Sequence, residues 1–414
     1  MKELLKQIIF EQQTYSFANT VKRDIDYSLV SSPEILIISG IRRCGKSVLL
    51  QQLRAKQAEK DYFINFDDER LINFGIADFQ ILYETFIELF GVQKTFYFDE
   101  IQNIPGWERF VRRMYDAGCK IFITGSNATM LSKELGTHLT GRYCRLELYP
   151  FSFEEFLKLK QASPQEKDFY TTSGIATLIK YFHDYLKTGG FPAYASHPNE
   201  NYLSSLYESI IYKDVITRNK IENGKELLET VYYLASNATK RFSYNSLSKI
   251  VGIKHPETIK NYIGYLEDTY LLSQVLKFDY SLKTQMANMK KAYFVDNAII
   301  NKIGFNATEN QGQLLENVVW IELKRRGKDI YYHAGNVECD FVVRTGTKIT
   351  EAYQVTQSIK NEKTRDREIK GLLEALRSYQ LDSGYILTVN ETDMLTVDDK
   401  EIIIMPIWKW LLKK

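Results

Sequence analysis

Gly40-Ile-Arg-Arg-Cys-Gly-Lys-Ser47 follows the apolar run Ile35-Leu-Ile-Ile-Ser39 and precedes Val48-Leu-Leu-Gln-Gln-Leu-Arg-Ala-Lys56. The octapeptide fits G-x-x-x-x-G-K-[ST] at every fixed position. Each residue type has a physical reason. Gly40 and Gly45 let the backbone wrap around an anion without Cβ clashes. The N–H groups of the loop (Gly40, Arg42, Arg43, Cys44, Gly45, Lys46, Ser47 and Val48) and the start of the following helix then face the phosphates. Lys46 reaches the β- and γ-phosphates, and the Ser47 hydroxyl binds Mg²⁺. The short apolar run before the loop reads as a buried parallel strand, and the polar-periodic run after it as a helix.

Working outward, further strands are expected at Asp61–Phe66, Thr95–Phe98, Lys120–Thr124 and Tyr143–Leu148, with a helix over Phe79–Phe90. Strands alternating with helices imply a mostly parallel α/β sheet. The third strand ends in Asp99-Glu100, at the carboxyl edge where open α/β sheets bind ligands. Asp99 would hold Mg²⁺ through water, and Glu100 would polarise the attacking water as general base. Asn127, or Ser126, ends the next strand; it either orients that water or is a turn residue. Arg142, before the fifth strand, is either an arginine finger or sensor that neutralises transition-state charge, or a surface ion pair.

The 414 residues suggest about two or three domains at roughly 150 residues each. The chain is 44% hydrophobic and 26% charged, ordinary for a folded protein. With 54 Lys and Arg against 52 Asp and Glu, the net charge of +2 excludes a bulk polycation or an acidic tail protein, but not a local basic patch. The start, MKELLKQIIFEQQ, is too punctuated by polar residues for a signal peptide. No apolar run approaches the ~20 residues of a membrane span, so no membrane partner is expected. Cys44, Cys119, Cys144 and Cys339 are far apart, without metal spacing, which suits reduced thiols and a cytoplasmic location.

The pattern changes at Tyr149-Pro150. Residues 1–150 are assigned to the phosphate-loop domain, with residues 1–30 a polar helical lead-in. Residues 151–238 form a helical lid or linker region, its first helix capped by Ser152 and Glu155. Residues 239–300 are a winged-helix-like region, and 301–414 return to mixed α/β. Strands are expected there at 329–333, 338–343, 349–355 and 384–389, and helices at 312–326 and near 364–379.

GIRRCGKS, YFDEIQN, ITGSNATML, Gly141-Arg142 and LYPFSFEEF together resemble a bacterial and archaeal family of AAA-type ATPases with a C-terminal domain of unknown function. KTGGFPAY, YKDVITRN, KKAYFVDNAI and GQLLENVVWIEL extend the resemblance over nearly the whole chain. It implies an ASCE-type P-loop sheet, in which the strand ending near Asn127 lies between those of the loop and of Asp99. It also implies ATP and Mg²⁺ as cofactors and a C-terminal fold like that of restriction endonucleases, built on Glu…Asp…Glu-x-Lys. Glu316 and Asp340 match the first two positions. Gln354 and Thr356 stand where Glu and Lys belong, a departure that weakens two-metal hydrolysis, because Gln brings no charge and Thr no cation. Glu351 or Lys360 could compensate from nearby.

SYNSLSKIVGIKHPETIKNYIGYLEDTYLL resembles a winged helix-turn-helix. Pro256 suits a first helical turn. Ile259, Ile263 and Leu266 share one helical face, leaving Lys254, His255, Thr258, Lys260 and Asn261 outward for phosphates and base edges. Residues 240–300 hold nine Lys or Arg and five Asp or Glu, a mildly basic +4. The same fold also mediates protein contacts. The Lys324–Lys328 run is either a nucleic-acid contact or a helix C-terminal charge cluster. His333 lies close to Glu338 and Asp340 in sequence, but the five histidines do not cluster. The reading is an ATP hydrolase that acts on, or is regulated by, double-stranded DNA and works with further copies of itself. The alternative is an ATP-dependent protein-interaction switch with little turnover and a degenerate nuclease-like domain.

Overall fold

The computed structural model describes residues 1–14, 20–126, 139–305 and 311–413. They form two compact units, Met1–Tyr149 with Asp268–Tyr270, and Pro150–Glu267 with Leu271–Lys414.

In the first unit, α1 (Lys2–Gln13) and α2 (Tyr27–Ser31) precede β1 (Ile35–Ser39), α3 (Lys46–Arg54), β2 (Tyr62–Asn65) and α4 (Asp78–Phe90). Then come β3 (Thr95–Asp99), α5 (Trp107–Asp116), β4 (Lys120–Gly125) and β5 (Tyr143–Glu147). The sheet order is β2-β3-β4-β1-β5, and all pairings are parallel. β4 therefore lies between β1 and β3, the arrangement the ASCE resemblance implies. Every residue of β1 is buried, as a strand covered on both faces requires. The sheet's core is aromatic: Tyr62 stacks on Phe86 at 4.8 Å and Phe79 on Phe110 at 4.7 Å. The abundant Phe and Tyr serve packing here. The lead-in is not merely polar, because Leu5, Ile8 and Ile9 of α1 are fully buried in this core. Spaced at three and four residues, they put one helical stripe inside.

The second unit begins with helices α6 (Phe153–Leu159), α7 (Thr172–Thr188), α8 (Pro192–Ser196) and α9 (Glu200–Glu208). Ser152 and Glu155 form the capping box that opens α6. A π-helical stretch, Ser209–Thr217, continues α9 and is followed by α10 (Gly224–Ser236). Next come β6 (Arg241–Phe242), α11 (Tyr244–Val251), α12 (Pro256–Asp268), β7 (Leu272–Leu276), α13 (Leu282–Ala287) and β8 (Lys290–Phe294). The three strands form an antiparallel sheet in the order β6-β8-β7.

α14 (Asn297–Ile303) and α15 (Gln311–Arg325) lead to β9 (Asp329–Ala334), β10 (Glu338–Thr345), β11 (Lys348–Val355), α16 (Glu362–Tyr379), β12 (Ser383–Thr388), β13 (Asp393–Val397), β14 (Lys400–Pro406) and α17 (Ile407–Leu411). These six strands make a mixed sheet ordered β13-β14-β12-β11-β10-β9. Leu372, Leu373 and Leu376 of α16 join Val342, Ala352, Ile386 and Ile402 in its core. The sequence reading lacked β6, β8, β13 and β14. Between Cys339 and Val342 the register of β10 against β9 shifts by one residue, a bulge that re-aims Asp340.

Candidate functional site

The loop after β1 is strained where an anion cradle needs it to be. Gly40, Arg43 and Gly45 have φ of 148°, 65° and 103°. Arg43 is the costly one, because an L-residue with a side chain rarely adopts the left-handed region. A Cβ on Gly40 would lie 2.2 Å from the Leu148 carbonyl oxygen, so that position accepts only glycine. Lys46 opens α3, is buried, and its Nζ donates to the carbonyls of Gly40 and Ile41 at 3.1 Å each. Arg23, also buried, donates to the Cys44 carbonyl at 2.8 Å and to the Tyr149 carbonyl at 2.5 Å. The loop is thus tied from beneath by a side chain that no local motif announces. Burial pushes the Cys44 thiol up, which keeps it neutral.

Parallel register brings the acids beside the loop. Ser39 pairs with Gly125, and Phe98 with Ile123, so β1, β3 and β4 end together. The Ser47 hydroxyl donates to Asp99 Oδ1 at 3.1 Å, and Thr124 Oγ1 donates to the same oxygen. The Thr124 hydroxyl in turn accepts the Glu100 N–H at 2.9 Å. Glu100 sits at φ 52°, a strained turn out of β3, and the Gln102 amide donates to its carboxylate. Burial pushes the Asp99 carboxyl up to about 6, against the hydrogen bonds from Thr124 and Ser47 and with the neighbouring charge of Glu100 adding to the rise. Ser47 and Asp99 are an oxygen pair of the kind Mg²⁺ takes, so the residues fit the ion. Sequence reasoning missed Thr124, Gln102 and Arg23. The first could have been found as the hydroxyl ending the strand next to Asp99.

Of the remaining expectations, Asn127 lies outside the described residues. Ser126 is buried at the end of β4. Arg142 is not at the loop. Its carbonyl accepts the Ile35 N–H at the start of β1, and its guanidinium pairs with Asp116 at 3.1 Å. The loop leaves β1 four residues later, about 13 Å along the strand. Of the two readings of Arg142, the structure places it in a surface ion pair, at the end of β5 away from its own chain's loop.

A five-stranded parallel sheet with this order and loop defines a P-loop nucleotide-binding ATPase. The family model described as an AAA domain matches residues 32–157, and one described as a domain of unknown function (DUF8612) matches 179–309. The chain is 35% identical to the uncharacterized protein MJ1544 of Methanocaldococcus jannaschii, over 98% of this chain and 96% of that one. It is 30% identical to an uncharacterized protein of Haemophilus influenzae, over 90% and 94%. The chain belongs to the family of these proteins and carries its AAA domain at the N-terminal end. Among solved structures it is similar to Cdc6p from Pyrobaculum aerophilum (TM-score 0.28, 12% identity, 69% of this chain and 96% of that one). It is also similar to the Thermotoga maritima RuvB Holliday junction branch migration motor (TM-score 0.29, 12% identity, 66% and 87%).

The second unit gathers another polar group. Glu316 of α15, Asp340 of β10 and Gln354 of β11 line one cavity of about 780 Å³. Gln354 Oε1 accepts the Asp340 N–H at 3.2 Å, and its amide donates to Glu368 of α16. Glu351 and Lys360 do not compensate for Gln354 and Thr356: Glu351 pairs with Lys328, and Lys360 is exposed beyond the strand. Lys291 of β8 and Glu368 bring the charges instead. Burial pushes the Asp340 carboxyl up to about 8, with the Glu316 charge adding to the rise. His333 contacts Tyr379 and Glu374 rather than this cluster. Among the described residues, no group of three or more His, Cys, Asp or Glu is arranged to hold a metal.

Lys254, Lys260 and Asn261 are exposed, Thr258 is half-buried, and Lys260 pairs with Glu257 at 3.4 Å. The Lys324–Lys328 run is largely committed to ion pairs: Arg325 and Arg326 both hold Glu322, and Lys328 holds Glu351. Among the described residues, no helix is long and apolar enough to cross a membrane.

Proposed function

We propose that this chain is a Mg²⁺-dependent ATP hydrolase that acts on, or is regulated by, double-stranded DNA. The observation that carries the hydrolytic part is the Ser47–Asp99–Thr124–Glu100 chain of hydrogen bonds at the carboxyl ends of β1, β3 and β4. In this reading Gly40 to Val48 cradle the phosphates, and Lys46 leaves the loop carbonyls to contact the β- and γ-phosphates. Ser47 and Asp99 hold Mg²⁺, which neutralises charge on the β- and γ-phosphate oxygens. Glu100, oriented by Gln102 and by the Thr124 bond to its own N–H, accepts the proton of the attacking water. Thr124 joins metal ligand and base, so both would move together. Asn127 is kept as a second contact to that water.

The arrangement α11, α12 and the antiparallel β6-β8-β7 sheet supports a winged-helix reading of residues 239–300, with Lys254, Thr258, Lys260 and Asn261 as the DNA-facing set. Residues 301–414 are read as a nuclease-like domain that binds without cutting. The placement of Arg142 favours a further element. A cation at the far end of β5 can serve a nucleotide only from a neighbouring copy, so a homo-oligomer with Arg142 acting across the subunit boundary is part of the proposal.

The test is phosphate release by the full chain with and without duplex DNA. DNA-stimulated turnover that weakens with salt is the expected result. ATP binding without measurable release under either condition would leave the interaction switch as the better reading.

A further inference from the structure

Lys291 sits in the middle of the second unit's charged cluster. Its side chain is 2% exposed, and its Nζ lies 2.9 Å from Glu316 Oε1, 2.7 Å from Glu338 Oε1 and 3.4 Å from Asp340 Oδ1. The ammonium donates hydrogen bonds to Glu316 and Asp340 and forms an ion pair with Glu338, so three carboxylates from two elements surround it. The acids are themselves held in place. Tyr293 donates to Glu316 at 2.6 Å, the Val355 N–H to Asp340 Oδ2 at 2.9 Å, and Arg241 reaches Glu338 at 3.0 Å. Glu338 and Asp340 are two residues apart on β10, so both side chains leave the same face of the strand toward that point.

Three carboxylate oxygens, the donor type a hard divalent cation takes, face one point beside the cavity, though as folded around the ammonium they are not spaced to hold a metal. That point is taken by the ammonium. Two cations cannot share it, because the second would meet the first at near contact distance in a buried setting. Lys291 is buried at the cavity wall, and all three carboxylates lie within 3.4 Å of its Nζ. We propose that Lys291 is the resident cation of this cluster, excluding divalent metal from the native cavity, and that removing its ammonium opens a site for one Mn²⁺ or Mg²⁺ on Glu316, Glu338 and Asp340.

The proposal stands apart from the nucleotide site and from the DNA reading. It is tested on the full chain without nucleotide, with Mn²⁺ as the probe, by counting bound ions with electron paramagnetic resonance and by following thermal unfolding. Any ion held by Ser47 and Asp99 is common to all variants and cancels. In the native chain, Asp340→Asn should leave the number of bound ions unchanged. Lys291→Met should bind one additional Mn²⁺ per chain, and Mn²⁺ should raise its unfolding temperature by mass action, whereas the native chain's should not rise through this cluster. The double variant Lys291→Met/Asp340→Asn should lose both effects. Lys291→Gln, which keeps a polar head, is the second variant should the first fail to fold. An Asp340-dependent ion in the native chain overturns the proposal without any Lys291 variant. A folded Lys291→Met or Lys291→Gln chain that takes up no additional ion overturns it as well.

Discussion

Gly40→Ala tests whether the loop geometry underlies function. A Cβ at this position would stand 2.2 Å from the Leu148 carbonyl oxygen, 3.1 Å from its carbon and 3.2 Å from Cys44 Sγ. Relief needs about 1 Å of movement to reach ordinary contact. Leu148 cannot supply it freely, because its N–H holds the Ser39 carbonyl at 2.7 Å and so continues the β1–β5 pairing. The loop must move instead. The φ of 148° adds strain of about 1–3 kcal/mol, and overpacking about 1–3 kcal/mol more. Together these lower the melting temperature of the nucleotide unit by roughly 5–20 °C. Gly118→Ala is the control: φ is 80°, but no atom lies within 4 Å of its added Cβ. It should cost only the left-handed penalty, about 1–2 kcal/mol. Calorimetry of the full chain, reading the transition that ATP raises, separates the two. Displacing the Gly40 carbonyl also shifts the contact it makes with Lys46, so turnover should fall about 10²-fold in Gly40→Ala and stay near native in Gly118→Ala. Equal melting shifts in the two variants, or full turnover in Gly40→Ala, would refute the reasoning.

Lys46→Ala should abolish measurable ATP binding by isothermal titration, since it removes the cation proposed to leave the Gly40 and Ile41 carbonyls for the β- and γ-phosphates. Glu100→Gln keeps shape but deletes the base; ATP should still bind while phosphate release drops about 10²-fold or more. Mixing Arg142→Ala with Glu100→Gln chains should restore part of the turnover, since a shared site can combine one intact half from each; no recovery in mixtures shown to co-assemble would confine the site to one chain. DNA incubated with the native chain in Mg²⁺ or Mn²⁺ should stay uncut, and any DNA affinity should survive Asp340→Ala; cleavage that this substitution abolishes would make Gln354 a working ligand.

The nucleotide site was legible in the sequence because its chemistry is local. Eight consecutive residues supply the anion cradle, and the backbone does most of the work, so spacing alone carries the signal. The Asp99-Glu100 pair was legible for a similar reason, ending an apolar run whose partner strands are also apolar. Thr124, Gln102 and Arg23 were not. Thr124 bonds Asp99 and Glu100 at the end of a neighbouring strand, Arg23 two carbonyls distant in sequence, and Gln102 the Glu100 carboxylate two residues away; a lone hydroxyl, amide or guanidinium has no periodicity. Arg142 shows what sequence order leaves open. It stands beside a strand that does lie next to the loop strand, but at the opposite end. Sequence order gives strand adjacency more readily than it gives which end of a strand a residue occupies.

The second unit extends this point to the meaning of a degenerate motif. Read along β11 against the nuclease-like resemblance, Gln354 and Thr356 stand where that pattern would have an acid and a lysine. In the folded unit neither charge is missing. Glu368, one strand-to-helix connection later, places its carboxylate against the Gln354 amide, and Lys291 arrives from β8, more than sixty residues earlier. Charge has been relocated, and its new position has a different consequence from its old one. A lysine beside a metal would help to balance a phosphate, whereas a lysine among the carboxylates competes with the metal for the same oxygens. The relevant quantity is therefore not how many motif residues survive but where the cation sits relative to the acids. By that measure, the ammonium of Lys291 holds the point where the acids of the second unit converge, whereas at the phosphate loop Lys46 is bonded to the Gly40 and Ile41 carbonyls and Ser47 meets Asp99 without it.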